Sequence, residues 1–363
     1  MKLLIVGDVC PTSTSNPLFE NGEKEKLFGD FLDVFKQHDF TFVNLECALT
    51  ESENKIEKFG PNLKACKNTA KVLKEIGVDC CGLSNNHIFD FGIEGYKDTV
   101  AALKEAGLDY TGFGENYQDS RKNYSFKDGD KVITIINVCE HEYSYALPDR
   151  MGSRPFDVFD TLDDIRAAKK VSDTVIVIYH GGKEHCRYPS PRLRKVCQAM
   201  VKAGADLVTT QHSHCIGCYE NFEGSHIMYG QGNFHFVKLA GEKARATWET
   251  SLAISYDTKE NTIEFIPHRN NDFGIELANG EDKEQILAEF KERNESLLNG
   301  TWIDGWREFC ERNKEMYTKV VRKAQAEGAS KFDNDIFGHY LDCEAHSDVW
   351  RELFPTANMT NEK

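Results

Sequence analysis

No stretch of the 363-residue chain approaches the roughly 20 consecutive apolar residues that a membrane-spanning helix needs, and the longest apolar runs are strand-sized. The opening residues, MKLLIVGDVC, lack the long apolar core and small-residue cleavage site of a secretory leader and read as a first β-strand. Positive charge is scarce: 44 Lys and Arg face 59 Asp and Glu, a formal net charge of −15, which opposes nucleic-acid or general polyanion binding. The twelve cysteines form no dense framework of the kind that staples small secreted domains. Cys80, Cys81 and Cys139 sit inside apolar runs, which fits a reducing compartment. The expected location is therefore the cytoplasm, with no membrane span. There is no P-loop, Gly112-x-Gly114 lacks the third glycine and following helix of a dinucleotide fingerprint, and Cys215-x-x-Cys218 has no second pair at zinc-finger spacing. Internal repeats and low-complexity segments are absent.

What is present is a chain of ordinary globular composition, with 11% aromatic residues, long enough for one large α/β domain plus an appendage. Apolar runs at Leu3 to Val6, Phe40 to Val43, Val78 to Leu83, Thr174 to Tyr179 and Leu207 to Thr210 read as buried strands. Stretches of helical spacing separate them: Glu23 to His38, Thr69 to Ile76, Glu94 to Ala106 with Gly107 as C-cap, Val158 to Lys170 and Leu193 to Ala203. Asp128-Gly129 between Tyr124–Phe126 and Val132–Val138 is a hairpin signal, so antiparallel strands join the sheet. Further strands are expected at Ile227 to Tyr229, Thr250 to Tyr256 and Thr262 to Pro267. From about Glu281 the composition turns to charged helix formers, predicting helices at Glu281 to Leu298 and Trp302 to Gln325 and shorter ones near Ile336 and Val349. This tail should pack through Trp302, Trp306, Phe309, Met316, Phe337 and Trp350.

Five of the strands end in polar residues of one chemical kind. They run into Gly7-Asp8, Asn44-Leu45-Glu46, Asn85-Asn86-His87, His180-Gly181-Gly182 and His212-Ser213-His214. A lone H-x-H is weak, because two histidines in a loop can simply be solvated. In an α/β sheet, however, ligands gather at the carboxyl ends of strands, and Asp, Glu, Asn and His together make an oxygen and nitrogen donor set for divalent metals.

The order of these motifs resembles the CapA family of capsule and poly-γ-glutamate biosynthesis proteins, within the calcineurin-like metallophosphoesterases. The resemblance rests on Gly7-Asp8, Asn44-Leu45-Glu46, Ser84-Asn85-Asn86-His87-Ile88-Phe89-Asp90-Phe91-Gly92, His180-Gly181-Gly182-Lys183-Glu184, His212-Ser213-His214 and Tyr229-Gly230-Gln231-Gly232-Asn233-Phe234, with a glycine loop at Thr111–Asn116. It spans about residues 2 to 270 and does not reach the helical tail. It implies a four-layer α/β fold of mixed sheets flanked by helices over residues 1–275, with an all-helical C-terminal extension over 281–363. It also implies a centre of two divalent ions (Mn, Zn or Fe) with Glu46 bridging. Asn86, His180 and His212 would hold one ion, Asp8 and His214 the other. His87 would protonate the leaving oxygen, and Asp90 and Glu184 would orient imidazoles. The chain departs from related phosphoesterases in reading Asp8-Val9-Cys10 where many have Asp-x-His, and in carrying Gln211 where a glycine commonly precedes H-x-H. Cys10 is open to two readings, a thiolate ligand or a packed apolar side chain.

The basic run Lys183, Arg187, Arg192, Arg194, Lys195 follows His180 directly. Lys183, Glu184, Arg187 and Asn233 are the expected substrate contacts. A solvated helix start is the other reading of that run. The expected function is a metal-dependent hydrolase of an anionic small molecule or polymer, phosphoester favoured and a γ-glutamyl or other amide next. The alternative is a non-catalytic metal-binding assembly factor for capsule or polyglutamate, with a partner contact on the C-terminal helices.

Overall fold

A computed structural model describes residues 1–238 and 248–356. Two sheets lie face to face. The eight-stranded one runs Ile275–Leu277, Thr262–Asn270, Thr250–Asp257, Lys2–Val9, Phe40–Leu45, Cys80–Gly82, Asp109–Thr111, with Asn233–His235 also pairing the first strand. The six-stranded one runs Ile216–Phe222, Ser225–Gln231, Leu207–Gln211, Thr174–His180, Lys131–Cys139, Tyr124–Asp128.

Side-chain alternation along each strand explains why the sheets stack. Leu3 and Ile5 of the first strand, with Ile176 and Ile178 of Thr174–His180, point into the core between the sheets. Leu4 and Val6 point outward, beneath the helices Asn68–Glu75 and Gly92–Ala106, and Val175, Val177 and Tyr179 pack under Val158–Lys169 and Pro191–Ala203. The result is the four-layer arrangement of helices, sheet, sheet and helices. Two glutamines stitch the sheets together across the core: Gln211 Nε2 donates to Val6 O at 3.0 Å and Gln231 Nε2 to Ile5 O at 2.9 Å.

The segment Glu23 to His38 is not one helix. It breaks into Lys24–Phe28, a 3-10 turn Gly29–Phe31 and Leu32–Phe35, because Gly29 takes φ +48° and ends the first piece. The strand Ile216–Phe222 lies where the sequence reading places none.

Between Gly280 and Leu353 four helices follow one another: Gly280–Asn299, Trp302–Ala324, Lys331–Asp342 and Glu344–Leu353. Ile286 and Phe290 of the first of these enter the inter-sheet core, while Trp302, Trp306, Phe309, Tyr317, Tyr340 and Val349 join the core outside the six-stranded sheet. Met316 does not pack: it is exposed, and its neighbour Tyr317 takes the buried place. No helix among the described residues is long and apolar enough to cross a membrane.

Candidate metal centre

The parallel strands of both sheets finish at one edge, so their terminal residues meet. Asp8 pairs in register with Asn44 on one side and Asn233 on the other, while His180 sits between Cys139 and Gln211 in the facing sheet. Gly7 makes the approach possible: a Cβ there would stand 2.0 Å from Gly232 O, so any side chain would push the strands apart. Among the described residues, six non-glycine positions have positive φ, and Tyr143, His185, His212 and His214 are four of them. Backbone held in this costly region is a mark of functional loops.

Two donor groups form, and they share a residue. Ligand atoms of Glu46, His180 and His212 lie within 4.8 Å of one another, as do those of Asp8, Glu46 and His214, and all five residues are buried. His180 Nε2 stands 3.0 Å from Asn86 Oδ1, 3.2 Å from His212 Nδ1 and 3.3 Å from Glu46 Oε1. Donors each about 2.0–2.1 Å from one ion at tetrahedral angles would be about 3.3 Å apart, so this spacing is that of a coordination shell. Both oxygens of Glu46 are buried without a hydrogen-bond partner. A buried carboxylate in that state is expensive unless a cation meets it. These residues fit a divalent metal centre.

The electrostatics agree. Burial, then the Asp8 charge, pushes the Glu46 carboxyl well above its ordinary range. Burial lowers His180 to about 4 and His212 well below the usual imidazole value, leaving both rings neutral, as ligands must be. Burial also opposes the charged form of His214, but Glu46 and Asp8 outweigh it and raise its pKa. Asn233 Oδ1 lies 2.7 Å from His214 Nδ1, so this asparagine, expected at the substrate, touches a candidate ligand. Asn44, part of the Asn44-Leu45-Glu46 motif but given no role by it, has its amide nitrogen 2.7 Å from Asp8 Oδ1 and 3.1 Å from His180 Nδ1, tying the two donor groups together.

A cavity of about 820 Å³ opens beside the cluster, lined in part by Cys10, His87, Glu184, His214, Phe236 and Trp248. His87 Nδ1 is 2.7 Å from Asp90 Oδ2 and 3.1 Å from the Lys58 ammonium, which also pairs with Asp90 Oδ1 at 2.5 Å. Its Nδ1 is thereby committed, and Nε2 is the nitrogen left to meet a substrate. Burial and Lys58 lower its pKa to about 4. Burial holds the Cys10 thiol well above its ordinary range, as befits a packed thiol rather than a thiolate.

The basic run divides. Lys183 is largely buried and faces Glu184 at 3.8 Å, and Glu184 Oε1 lies 3.9 Å from His214 Nε2. Arg187 pairs with Glu289 of the helix Gly280–Asn299 at 3.4 Å and lines a separate small cavity with Arg293, so the structure does not bring it to the cluster. Arg192 and Arg194 are taken up by Glu140 and Asp348, and by Glu220. Glu142 escaped the sequence reading altogether: its Oε2 stands 3.4 Å from His212 Nε2.

A family model described as bacterial capsule synthesis protein PGA_cap matches residues 2–238. The PGA biosynthesis protein CapA of Bacillus subtilis (strain 168) is 28% identical over 261 residues, covering 70% of this chain and 67% of its own length. The capsule biosynthesis protein CapA of Bacillus anthracis is 30% identical over 270 residues, covering 72% of this chain and 64% of its own length. A crystal structure of a novel phosphatase from Mycoplasma pneumoniae is similar with a TM-score of 0.44 at 16% identity, over 74% of this chain and 92% of that one.

Proposed function

The chain belongs to the family of bacterial capsule synthesis proteins, and from that premise we propose that it is a divalent-metal-dependent hydrolase of anionic substrates, with a phosphoester as the favoured bond. The observation that carries this reading is Glu46, whose two buried oxygens lack a hydrogen-bond partner and which belongs to both groups of donors. Glu46 would bridge two ions, with Asn86, His180 and His212 on one and Asp8 and His214 on the other. Two such ions supply an activated water and neutralise the oxygens of an in-line displacement.

The chain's own groups do the rest. Asp90 fixes the His87 ring through Nδ1, and His87 lines the cavity that would hold the leaving group. At neutral pH the ring is uncharged, and the negative charge of a bound phosphoester is what would let Nε2 hold a proton for the leaving oxygen. The cations that line the cavity are Lys64, Lys238 and Arg269, while Lys183 faces Glu184 beside His214 and Arg187 pairs with Glu289. A reducing compartment suits twelve unpaired, buried cysteines, and the cytoplasm is the proposed location. The family suggests capsule or poly-γ-glutamate metabolism as the setting.

The test is turnover. Full-length protein with added Mn²⁺ should hydrolyse an aryl phosphate, and a chelator should abolish the activity. Stoichiometric metal uptake without turnover of any phosphoester or γ-glutamyl substrate would support the assembly-factor reading instead.

A further inference from the structure

The loop after the strand Lys131–Cys139 is gripped almost residue by residue by the C-terminal helices. Glu140 Oε2 accepts from Ala345 N at 3.2 Å, and His141 meets Glu344 through both its backbone N–H, at 2.9 Å, and Nδ1, at 2.6 Å. Glu142 Oε1 stands 3.3 Å from His339 Nε2, the Tyr143 ring stacks on the His339 ring at 4.7 Å, and Tyr145 donates to Asp342 at 2.8 Å. The remaining residue, Ser144, donates to Asn86 O at 2.8 Å. Two candidate ligands therefore lean on this loop, Asn86 through Ser144 and His212 through Glu142. None of the gripping residues falls within the 2–238 span of the family match.

We propose that the C-terminal helical segment is a working part of the metal centre: His339, acting through Glu142, is a positioning residue for His212, and the site is complete only with the tail docked. The inference rests on the metal-centre reading above. His212 turns Nδ1 toward His180 and Nε2 toward Glu142. To bind an ion through Nδ1 the ring must carry its proton on Nε2, and a carboxylate facing Nε2 selects that tautomer. Glu142 can do so only if its own orientation is fixed. Its second oxygen faces His339, which is buried between the Tyr143 ring and the edge of His346.

The experiment uses full-length protein with Co²⁺ as the probe, read by affinity against a competing chelator and by visible absorption. His339→Leu should weaken Co²⁺ binding about 10–100-fold and alter the absorption bands. His339→Gln, whose amide nitrogen can stand in for Nε2, should restore affinity to within a few-fold. Glu142→Gln keeps the volume and replaces one carboxyl oxygen with an amide NH₂, so it tests the same link should the leucine variant fail to fold. The double variant should bind no more weakly than Glu142→Gln alone, because His339 acts through that carboxylate. Phe309→Leu, which trims the tail's packing beside Trp306 outside the six-stranded sheet, should lower thermal stability and leave Co²⁺ affinity within a few-fold. Unchanged affinity in His339→Leu, or losses that simply add in the double variant, would overturn the proposal alone. A wild-type chain that takes up no Co²⁺ would end the metal reading and this inference with it.

Discussion

Glu46 is a residue whose placement favours a ligand over stability. Both its oxygens are buried without partners, and burial with the Asp8 charge disfavours its ionised form. In chelator, Glu46→Gln should therefore make the protein more stable, by on the order of 1 kcal/mol or more, because an amide spares the fold from either burying that charge or taking up a proton to neutralise it. Denaturant midpoints of the two metal-free proteins measure this, and a less stable variant would show that the carboxylate is already paired. His212 and His87 separate in another way. His212→Ala removes a ring from the donor cluster and should lose metal and activity together. His87→Ala should keep its metal and lose about 10²–10⁴-fold in turnover of an alkyl phosphate, less for an activated aryl ester whose leaving group needs no proton. Equal slowing of both esters, or loss of metal from His87→Ala, would remove His87 from the acid role.

At the scale of elements, the strand ends were the legible part. An apolar run that stops in Asp, Asn, Glu or His announces both a buried strand and what it delivers, and Lys2–Val9, Phe40–Leu45, Thr174–His180 and Leu207–Gln211 all follow that rule. Glu23 to His38 misled because its apolar spacing continues across Gly29, where the backbone turns. Ile216–Phe222 was missed because its polar members, Glu220 and Asn221, hide the apolar pattern. Gly7 is legible only in part: the motif marks it, but only the structure gives the reason, a 2.0 Å approach to Gly232 O. Gly7→Ala should force the first strand away from Asn233–His235 and destabilise the protein by about 1–3 kcal/mol or more, with weaker metal uptake, since Asp8 rides on that strand. Thermal unfolding checks it, and an unchanged midpoint would mean that the strands can give way.

Across the whole molecule, what the sequence hid was long-range. Arg187 follows a candidate ligand closely in the chain, yet pairs with Glu289, a hundred residues on; Glu142 and His339 carry no local pattern at all. The ordered motifs did make membership of the capsule synthesis family legible, since the order is kept over most of the chain. A second global property lies in His235 and His268, both fully buried among Phe19, Phe28, Phe31 and Phe234. Burial lowers each to about 4. Below the ordinary histidine pKa of about 6.5 the unfolded chain takes up protons that the fold refuses, so these two rings pull stability down as pH drops from about 6.5 to 4, by at most about 1.4 kcal/mol per pH unit for each ring, against the buried carboxyls Glu46, Glu140 and Glu142, whose raised pKa values act the other way. His235→Phe should flatten that slope in metal-free protein, and an unaltered slope would place the proton uptake elsewhere. The central claim, that one buried carboxylate joins two donor groups into a single centre, is tested most directly by counting divalent ions bound per chain in the wild type and in Glu46→Gln. The wild type should bind two ions and the variant neither; one ion in the wild type, or full uptake by Glu46→Gln, would show that Glu46 does not join two sites.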